Sequence, residues 1–368
     1  MPALRTSLLQ PGQRVRVLVV DDSVVIRRLV CHALEEDPAL EVVGVAANGA
    51  IAMNRIAQTN PDVITLDIEM PEMDGLEMLR RLRREGRNTR VVMFSTLTER
   101  GAAATLEALA LGADDYVTKA SNAGSLDVSM ANLRQQLIPK IRQFFHFAPP
   151  RETQVSMAPP VIRAQGPLLF PAKRAFSLAR AVAIGVSTGG PAALGVIMPQ
   201  FPEGFRLPVF IVQHMPPLFT RLLAERLDTL TPLTVKEAAA GDRAEPGRVY
   251  VARGDYHMRV VGGPTGTAIV LDQGPPENSC RPAVDVLFSS LAETYGGAVV
   301  AAVLTGMGQD GLRGAQRLKA QGAYILAQDE ASSVVWGMPG AVVDGGVADE
   351  VLPLDHVVPA ILKQVGGP

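Results

Sequence analysis

Short β-branched runs alternate with longer amphipathic stretches twice over along these 368 residues, and that alternation constrains the chain more than any single motif. The first series of strand-like runs is Val15–Val20, Val42–Ala46, Val63–Leu66, Val91–Phe94 and Tyr116–Val117. Helical patterns begin near Ser23, Gly49, Gly75 and Glu99, and a fifth follows Ser125. This order predicts an α/β domain over residues 15–140: a doubly wound, five-stranded parallel sheet with helices on both faces. From Phe147 to Phe176 the periodicity stops, and prolines 149, 150, 159, 160, 167 and 171 mark a semi-rigid linker, bounded at 141–178. The alternation then resumes over 179–366 with Ala181–Ile184, Val209–Val212, Val249–Val251, Ala298–Leu304 and Tyr324–Ala327 as strands. Helical patterns follow Pro191, Leu218, Pro282 and Gly311, and a last one falls within 351–365. Residues 235–273 read as hairpins, so the second sheet is expected to be mostly parallel with a mixed part.

Bulk composition narrows the function classes. A formal charge of −2 gives no electrostatic reason to expect nucleic-acid or membrane partners. The two cysteines, Cys31 and Cys280, lie far apart and outside any metal-ligand spacing, which fits a reducing compartment. The first residues lack the apolar core of a signal peptide, and no window approaches the apolar length of a membrane span. The expectation is a cytoplasmic protein with no membrane insertion.

In open α/β sheets ligands bind at the carboxyl ends of strands. Asp21, Asp22 and Asp67 all fall there. Three converging carboxylates raise one another's pKa unless a cation neutralises them, and a hard, oxygen-only ligand set suits Mg²⁺. Asp21 and Asp22 could instead cap the helix that starts near Ser23. Four further features favour the charged site: the loop Met70-Pro-Glu-Met-Asp-Gly75 after Asp67, the hydroxyl of Ser95 and the cation of Lys119 at later strand ends, and Tyr116 three residues before that lysine.

With those five motifs in order, residues 15–140 resemble the receiver domain of bacterial response regulators, a flavodoxin-like fold. The resemblance implies that Asp67 accepts a phosphoryl group from a histidine kinase while Asp21, Asp22 and Asp67 hold Mg²⁺. It also implies that Ser95 and Lys119 contact the phosphoryl oxygens and that Tyr116 reorients on activation. The family usually has proline after the lysine, where this chain has Ala120.

Farther along, Gly185-Val-Ser187-Thr-Gly189 matches the G-x-S-x-G pattern, in which glycines permit a tight strand-to-helix turn that exposes a serine oxygen. A Gly-Ser-Thr-Gly stretch also serves as a phosphate-binding or purely turn-forming loop, so its partners decide. A nucleophilic serine needs a base, and the base needs a carboxylate to fix its tautomer. His214 follows the strand Val209–Val212, and Asp310 lies beyond the strand Ala298–Leu304. Structural roles stay open for both: a satisfied core histidine, and an N-cap ahead of Gly311. Using His356 as base would give the chain order of α/β-hydrolases; the set Ser187, His214 and Asp310 instead puts all three at strand ends.

The second set resembles the catalytic domain of the chemotaxis protein-glutamate methylesterase (CheB) family over 180–366. The stretches that carry the likeness are Ile184-Gly-Val-Ser-Thr-Gly-Gly-Pro191, Val212-Gln-His-Met-Pro216, Arg281-Pro-Ala-Val-Asp-Val-Leu-Phe288, Leu304-Thr-Gly-Met-Gly-Gln-Asp-Gly311 and Trp336-Gly-Met-Pro339. The resemblance implies Ser187 as nucleophile, His214 as base and Asp310 as its orienter. It further implies Thr188 in support of the histidine and the Met307 N–H in the oxyanion site. The reaction would remove methyl groups from glutamate methyl esters of chemoreceptors, release methanol and deamidate receptor glutamines, with no cofactor for the esterase step. The unphosphorylated receiver would cover the cleft.

Other functions remain to be weighed against this one. A partner- or nucleic-acid-binding second domain lacks a helix-turn-helix pattern or basic surface and leaves the Ser-His-Asp set unexplained. A methylesterase serving a non-flagellar chemosensory system keeps the fold and changes only the target. The arginines at 80, 81, 83, 84, 87 and 90 form either a docking face for an acidic partner or a solvated helix face.

Overall fold

The run Val15–Val20 forms a fully enclosed strand because its valines and leucine face helices on both sides of a parallel sheet. The computed structural model describes residues 7–9, 12–119, 126–147, 178–263 and 266–366. Its first domain contains strands β1 (Ser7–Leu9), β2 (Val15–Val20), β3 (Leu40–Ala46), β4 (Val63–Asp67), β5 (Arg90–Ser95), β6 (Asp115–Thr118) and β7 (Phe145–Phe147). Between them run helices α1 (Val24–Glu35), α2 (Gly49–Thr59), α3 (Gly75–Arg84), α4 (Glu99–Ala110) and α5 (Leu126–Arg142). The sheet order is β3-β2-β4-β5-β6, all parallel, as the alternation predicts. The short pair β1–β7 escaped the sequence reading. With Ile141, Phe144 and Phe145 buried in the receiver core, the folded part runs a few residues past 140. Most of the expected linker, including the prolines, lies outside the described residues, as does Ala120.

The second domain is built from β8 (Ala181–Val186), β9 (Val209–Gln213), β10 (Thr234–Glu237), β11 (Arg248–Val251), β12 (His257–Gly263), β13 (Gly266–Asp272), β14 (Val299–Val303), β15 (Tyr324–Gln328) and β16 (Glu350–Leu352). Its helices are α6 (Gly190–Ile197), α7 (Phe219–Asp228), α8 (Val284–Tyr295), α9 (Leu312–Ala320), α10 (Met338–Asp344) and α11 (Val357–Gln364). Seven strands pair in the order β10-β11-β9-β8-β14-β15-β16 and every pairing is parallel. The expected mixed part is therefore corrected. Only β12 and β13 form an antiparallel hairpin, and they lie outside the main sheet. The helix-free connection from β10 to β11 bonds to that hairpin through Gly241, Asp242 and Ala244, so in sequence it looks like one more hairpin arm.

Strands β4, β5, β8 and β9 are buried from end to end. Each fully enclosed Val, Leu or Ile contributes about 1.5–3 kcal/mol, so the strands that end in functional residues are firmly held. Among the described residues no helix is long and apolar enough to cross a membrane.

Much of the basic cluster is engaged within its own domain. Arg83 donates to the carbonyls of Gly112, Arg87 and Thr89. Arg90 is buried against Asp114 at 2.7 Å, and Arg80 pairs with Glu107. This favours an ordinary helix face over a docking surface.

Candidate active site

Two adjacent strands, β2 and β4, bring Asp21, Asp22 and Asp67 together, with one carboxylate oxygen of each within 4.8 Å of the others. The helix-capping role falls to Ser23, whose Oγ accepts from Ile26 N–H, while Asp21 Oδ1 accepts from Ser23 N–H at 2.9 Å. Gly75 is fixed by the same site. A Cβ there would stand 2.1 Å from the Asp67 carbonyl oxygen, so only glycine lets α3 start against β4. Asp74 caps that helix by accepting from Glu77 N–H.

Lys119 Nζ lies 2.8 Å from Asp67 Oδ2 and 3.0 Å from Asp21 Oδ2. One ammonium against three carboxylates leaves an excess of negative charge. Burial pushes Asp67 up to about 6; the Lys119 hydrogen bond opposes this, and the Asp21 and Asp22 charges add to it. An all-oxygen donor set with surplus negative charge fits a divalent hard cation. The adjoining cavity of about 260 Å³ is lined by Asp22, Asp67, Thr96, Gly101 and Lys119.

Ser95 is not on that lining. Its hydroxyl is buried and engaged with the carbonyls of Thr96 and Gly101 and with Thr105 Oγ1. Contact with a phosphoryl group thus requires it to exchange those partners; in this state Thr96 faces the cavity. Tyr116 is buried and stacks on Phe219 of α7, with centroids 4.9 Å apart and planes at 8°.

In the second domain the neighbouring strands β9, β8 and β14 end in, or lead into, His214, Ser187 and Asp310, and β8 marks the point where the chain changes direction across the sheet. Ser187 follows β8 on a turn in which Gly189 adopts φ 79°, a left-handed conformation suited to glycine. Gly190 N–H donates to Ser187 O at 2.8 Å, which closes the turn into α6. His214 Nε2 is 2.8 Å from Asp310 Oδ2. Asp310 is not the N-cap of α9. It accepts from the first N–H groups of α8, Val284 at 2.7 Å and Asp285 at 3.0 Å, and from Asn278 Nδ2 at 2.9 Å.

Burial favours a neutral Asp310, yet His214 and the α8 N–H groups outweigh it and hold the carboxylate below its usual range. Burial likewise opposes charge on His214, but the hydrogen bond with Asp310 holds the ring above the ordinary histidine range. His356 sits exposed beside Asp355, far from any such arrangement of partners.

Ser187 shares a cleft with His214, Gln213 and Met215, although among the described residues no hydrogen bond joins its hydroxyl to the imidazole. The Met307 N–H has no hydrogen-bond partner among the described residues, and its neighbour Gly306 lies against Ser187: a Cβ there would be 2.8 Å from Ser187 Cβ. Thr188 departs from expectation. Its hydroxyl does not support His214; it donates to Asp115 Oδ2 of the receiver at 2.9 Å. Asp115 is buried and also accepts from Lys140 Nζ at 2.7 Å and Gln143 Nε2 at 3.2 Å.

Asp115, Tyr116, Lys140 and Leu109 form the receiver wall of the serine cleft. Helix α4 packs on α6 and α7, and Glu99 pairs with Arg221 at 2.8 Å. The room left beside Ser187 is about 30 Å³, enough for a water or two and far short of a ligand pocket. Asp115, Asn278 and Cys280 escaped the sequence reading. Asp115 is adjacent to the recognised Tyr116, and the other two immediately precede the recognised Arg281 stretch, but nothing in their spacing signals a contact with the triad.

A family model described as CheB methylesterase matches residues 182–361, and one described as the response regulator receiver domain matches residues 17–130. The protein-glutamate methylesterase/protein-glutamine glutaminase of Trichodesmium erythraeum is 49% identical over 355 residues, covering 95% of this chain and 99% of that protein. Its counterpart in a Nocardioides species is 51% identical over 357 residues, 96% of each chain. The crystal structure of the Thermotoga maritima CheB methylesterase catalytic domain is similar with a TM-score of 0.50 and 43% identity, covering 50% of this chain and 98% of that one. A serine edge built from three neighbouring strands, a carboxylate cluster on a receiver sheet and full-length kinship lead to one conclusion: the chain belongs to the CheB family of protein-glutamate methylesterase/protein-glutamine glutaminases, enzymes that join a response-regulator receiver to a hydrolase domain.

Proposed function

We propose that Ser187 is the nucleophile of this hydrolase, His214 its base and Asp310 the carboxylate that orients the base. The observation that carries this is the convergence of the three on strands β9, β8 and β14, with His214 bonded to Asp310 at 2.8 Å. Ser187 Oγ attacks the γ-carbonyl of a receptor glutamyl methyl ester as His214 takes its proton. The Met307 N–H stabilises the resulting oxyanion; one such donor is worth about 2.7–4 kcal/mol in comparable sites. The proton passes to the leaving methoxide, methanol departs, and water, deprotonated by the same imidazole, frees the glutamate. A receptor glutamine yields the same acyl-enzyme with ammonia as leaving group.

Control begins at Asp67, which takes the phosphoryl group from a chemotaxis histidine kinase, with Lys119 balancing the new oxygens. Asp21, Asp22 and Asp67 hold Mg²⁺, which when bound supplies the positive charge that phosphoryl transfer to a carboxylate requires. In the unphosphorylated chain the Asp115–Thr188 bond and the Tyr116–Phe219 stack keep the cleft covered, and phosphorylation favours the uncovered state.

The test is methanol release from methylated chemoreceptor membranes, with and without acetyl phosphate and Mg²⁺. Release should rise with the phosphodonor, and Asp67→Ala should abolish the rise while keeping the basal rate. No release from folded protein would contradict the proposal, as would an Asp67→Ala variant that still responds fully.

A further inference from the structure

The segment between β13 and α8 reaches the catalytic edge with two side chains. Asn278 donates from Nδ2 to Asp310 Oδ1 at 2.9 Å and to Asp285 Oδ2 at 3.0 Å. Two residues on, Cys280 places Sγ 3.5 Å from His214 Nδ1. The segment is tightly held. Arg281 Nε donates to Asp255 Oδ1 at 3.0 Å, and its Nη1 donates to the carbonyls of Gln273 and Gly274 at 3.2 and 2.9 Å. Arg313 pairs with Glu277, and Glu277 and Cys280 exchange backbone hydrogen bonds at 3.1 and 2.9 Å. Asn278 and Ser279 both take left-handed φ values, 51° and 62°. Cys280 therefore meets the imidazole because the backbone puts it there.

The proton bookkeeping on His214 gives that contact a chemical meaning. An ionised Asp310 only accepts, so the ring hydrogen belongs on Nε2 and the basic lone pair on Nδ1. That lone pair is the one able to take the proton of Ser187, and it is the one the Cys280 thiol faces. A thiol is the weaker hydrogen-bond donor of the two, so what favours it in the resting site is placement: Cys280 Sγ stands at Nδ1, where a seated Ser187 hydroxyl can displace it.

We propose that Cys280 is a positioning residue of the esterase reaction: its thiol occupies His214 Nδ1 in the resting site, and the Ser187 hydroxyl becomes activated by displacing it. The inference rests on the Ser187–His214–Asp310 reading. A thiol that donates to Nδ1 stabilises the neutral ring and so opposes the proton that Asp310 favours. The other charged groups nearby are Asp285, paired with Arg313 behind Asp310, and Asp115 with Lys140 across the cleft; replacing Cys280 leaves all four in place.

Removing the thiol should therefore leave the lone pair readier to hold a proton, so that His214 serves as a base only at higher pH. In full-length enzyme with acetyl phosphate and Mg²⁺, Cys280→Ala should move the acid limb of the kcat/KM profile for methylated receptor membranes up by as much as about one pH unit, the tenfold that one hydrogen bond of ordinary strength carries. The His214 midpoint, followed by ¹⁵N NMR of the labelled imidazole, should move with it. Cys280→Val fills the space without a donor and should move both readouts in the same direction; it decides the matter if the alanine variant folds poorly. Cys280→Ser restores a donor and should return both toward the parent values. A cysteine that merely fills space would leave limb and midpoint where they were while activity fell evenly at every pH, and that result overturns the inference. The control is His214→Ala. If turnover survives it, the triad reading falls and takes this inference with it. If turnover is lost while the limb stays fixed in the alanine and valine variants, the inference alone falls.

Discussion

Asp115→Ala should turn the unphosphorylated enzyme partly on. In the covered state this receiver carboxylate accepts from Thr188 Oγ1 at 2.9 Å, one residue from Ser187, the proposed nucleophile. A hydrogen bond to a charged acceptor is worth about 1.5–3 kcal/mol, which corresponds to about a 10- to 150-fold change in the ratio of covered to uncovered molecules. Gln143 Oε1 stands 3.4 Å from the same hydroxyl and can take part of its hydrogen bonding, which places the expected effect near the lower end. Lys140 loses its carboxylate but keeps its place 5.1 Å from the Tyr116 ring centroid, so the aromatic stack on Phe219 survives. The assay is methanol release from methylated receptor membranes without phosphodonor, expected to rise about tenfold toward the rate reached with acetyl phosphate and Mg²⁺, while that activated rate stays within about twofold. Thermal unfolding of both proteins controls for damage to the receiver. An unchanged basal rate in a well-folded variant would refute the idea that this bond helps hold the cover closed, and a parallel fall in both rates would show that Asp115 serves folding alone.

Three further substitutions probe the two sites. His214→Ala should lower kcat by about 10⁴- to 10⁶-fold, as loss of a triad base does elsewhere, whereas the exposed His356→Ala should leave turnover within about twofold; steady-state kinetics on both variants would expose the reverse assignment. Gly75→Ala forces a Cβ to within 2.1 Å of the Asp67 carbonyl and should cost about 1–3 kcal/mol by overpacking; calorimetry should show a Tm lowered by several degrees, with the phosphodonor response weakened more than the basal rate.

Much of this was legible in the chain itself. The receiver strands were readable because fully enclosed parallel strands are written as unbroken β-branched runs, and Asp67 and Lys119 because strand ends punctuate them. Ser187, His214 and Asp310 were readable for the same reason. The edge strand β10 and its neighbour β11 were misread because a parallel crossover without a helix carries the turn residues of a hairpin. Thr188 was assigned to the wrong partner because its acceptor, Asp115, lies 73 residues away in the other domain, and no periodicity reports on a surface that two domains share. Ser95 was placed correctly along the chain, but its hydroxyl direction depends on Thr105 and Gly101, one turn into the next helix.

With Leu109, Asp115, Tyr116 and Lys140 lining the serine cleft, the proposed cover would be one particular kind of inhibitor: it fills the space the substrate must enter, so cover and substrate exclude each other. A tethered competitor acts at an effective concentration set by the length and stiffness of its link, and the substrate must contend with that standing concentration. Phosphorylation then behaves as dilution of a built-in rival: it should lower the apparent KM for receptors much more than it raises the rate at saturation, so densely clustered receptors would feel the switch least and sparse ones most.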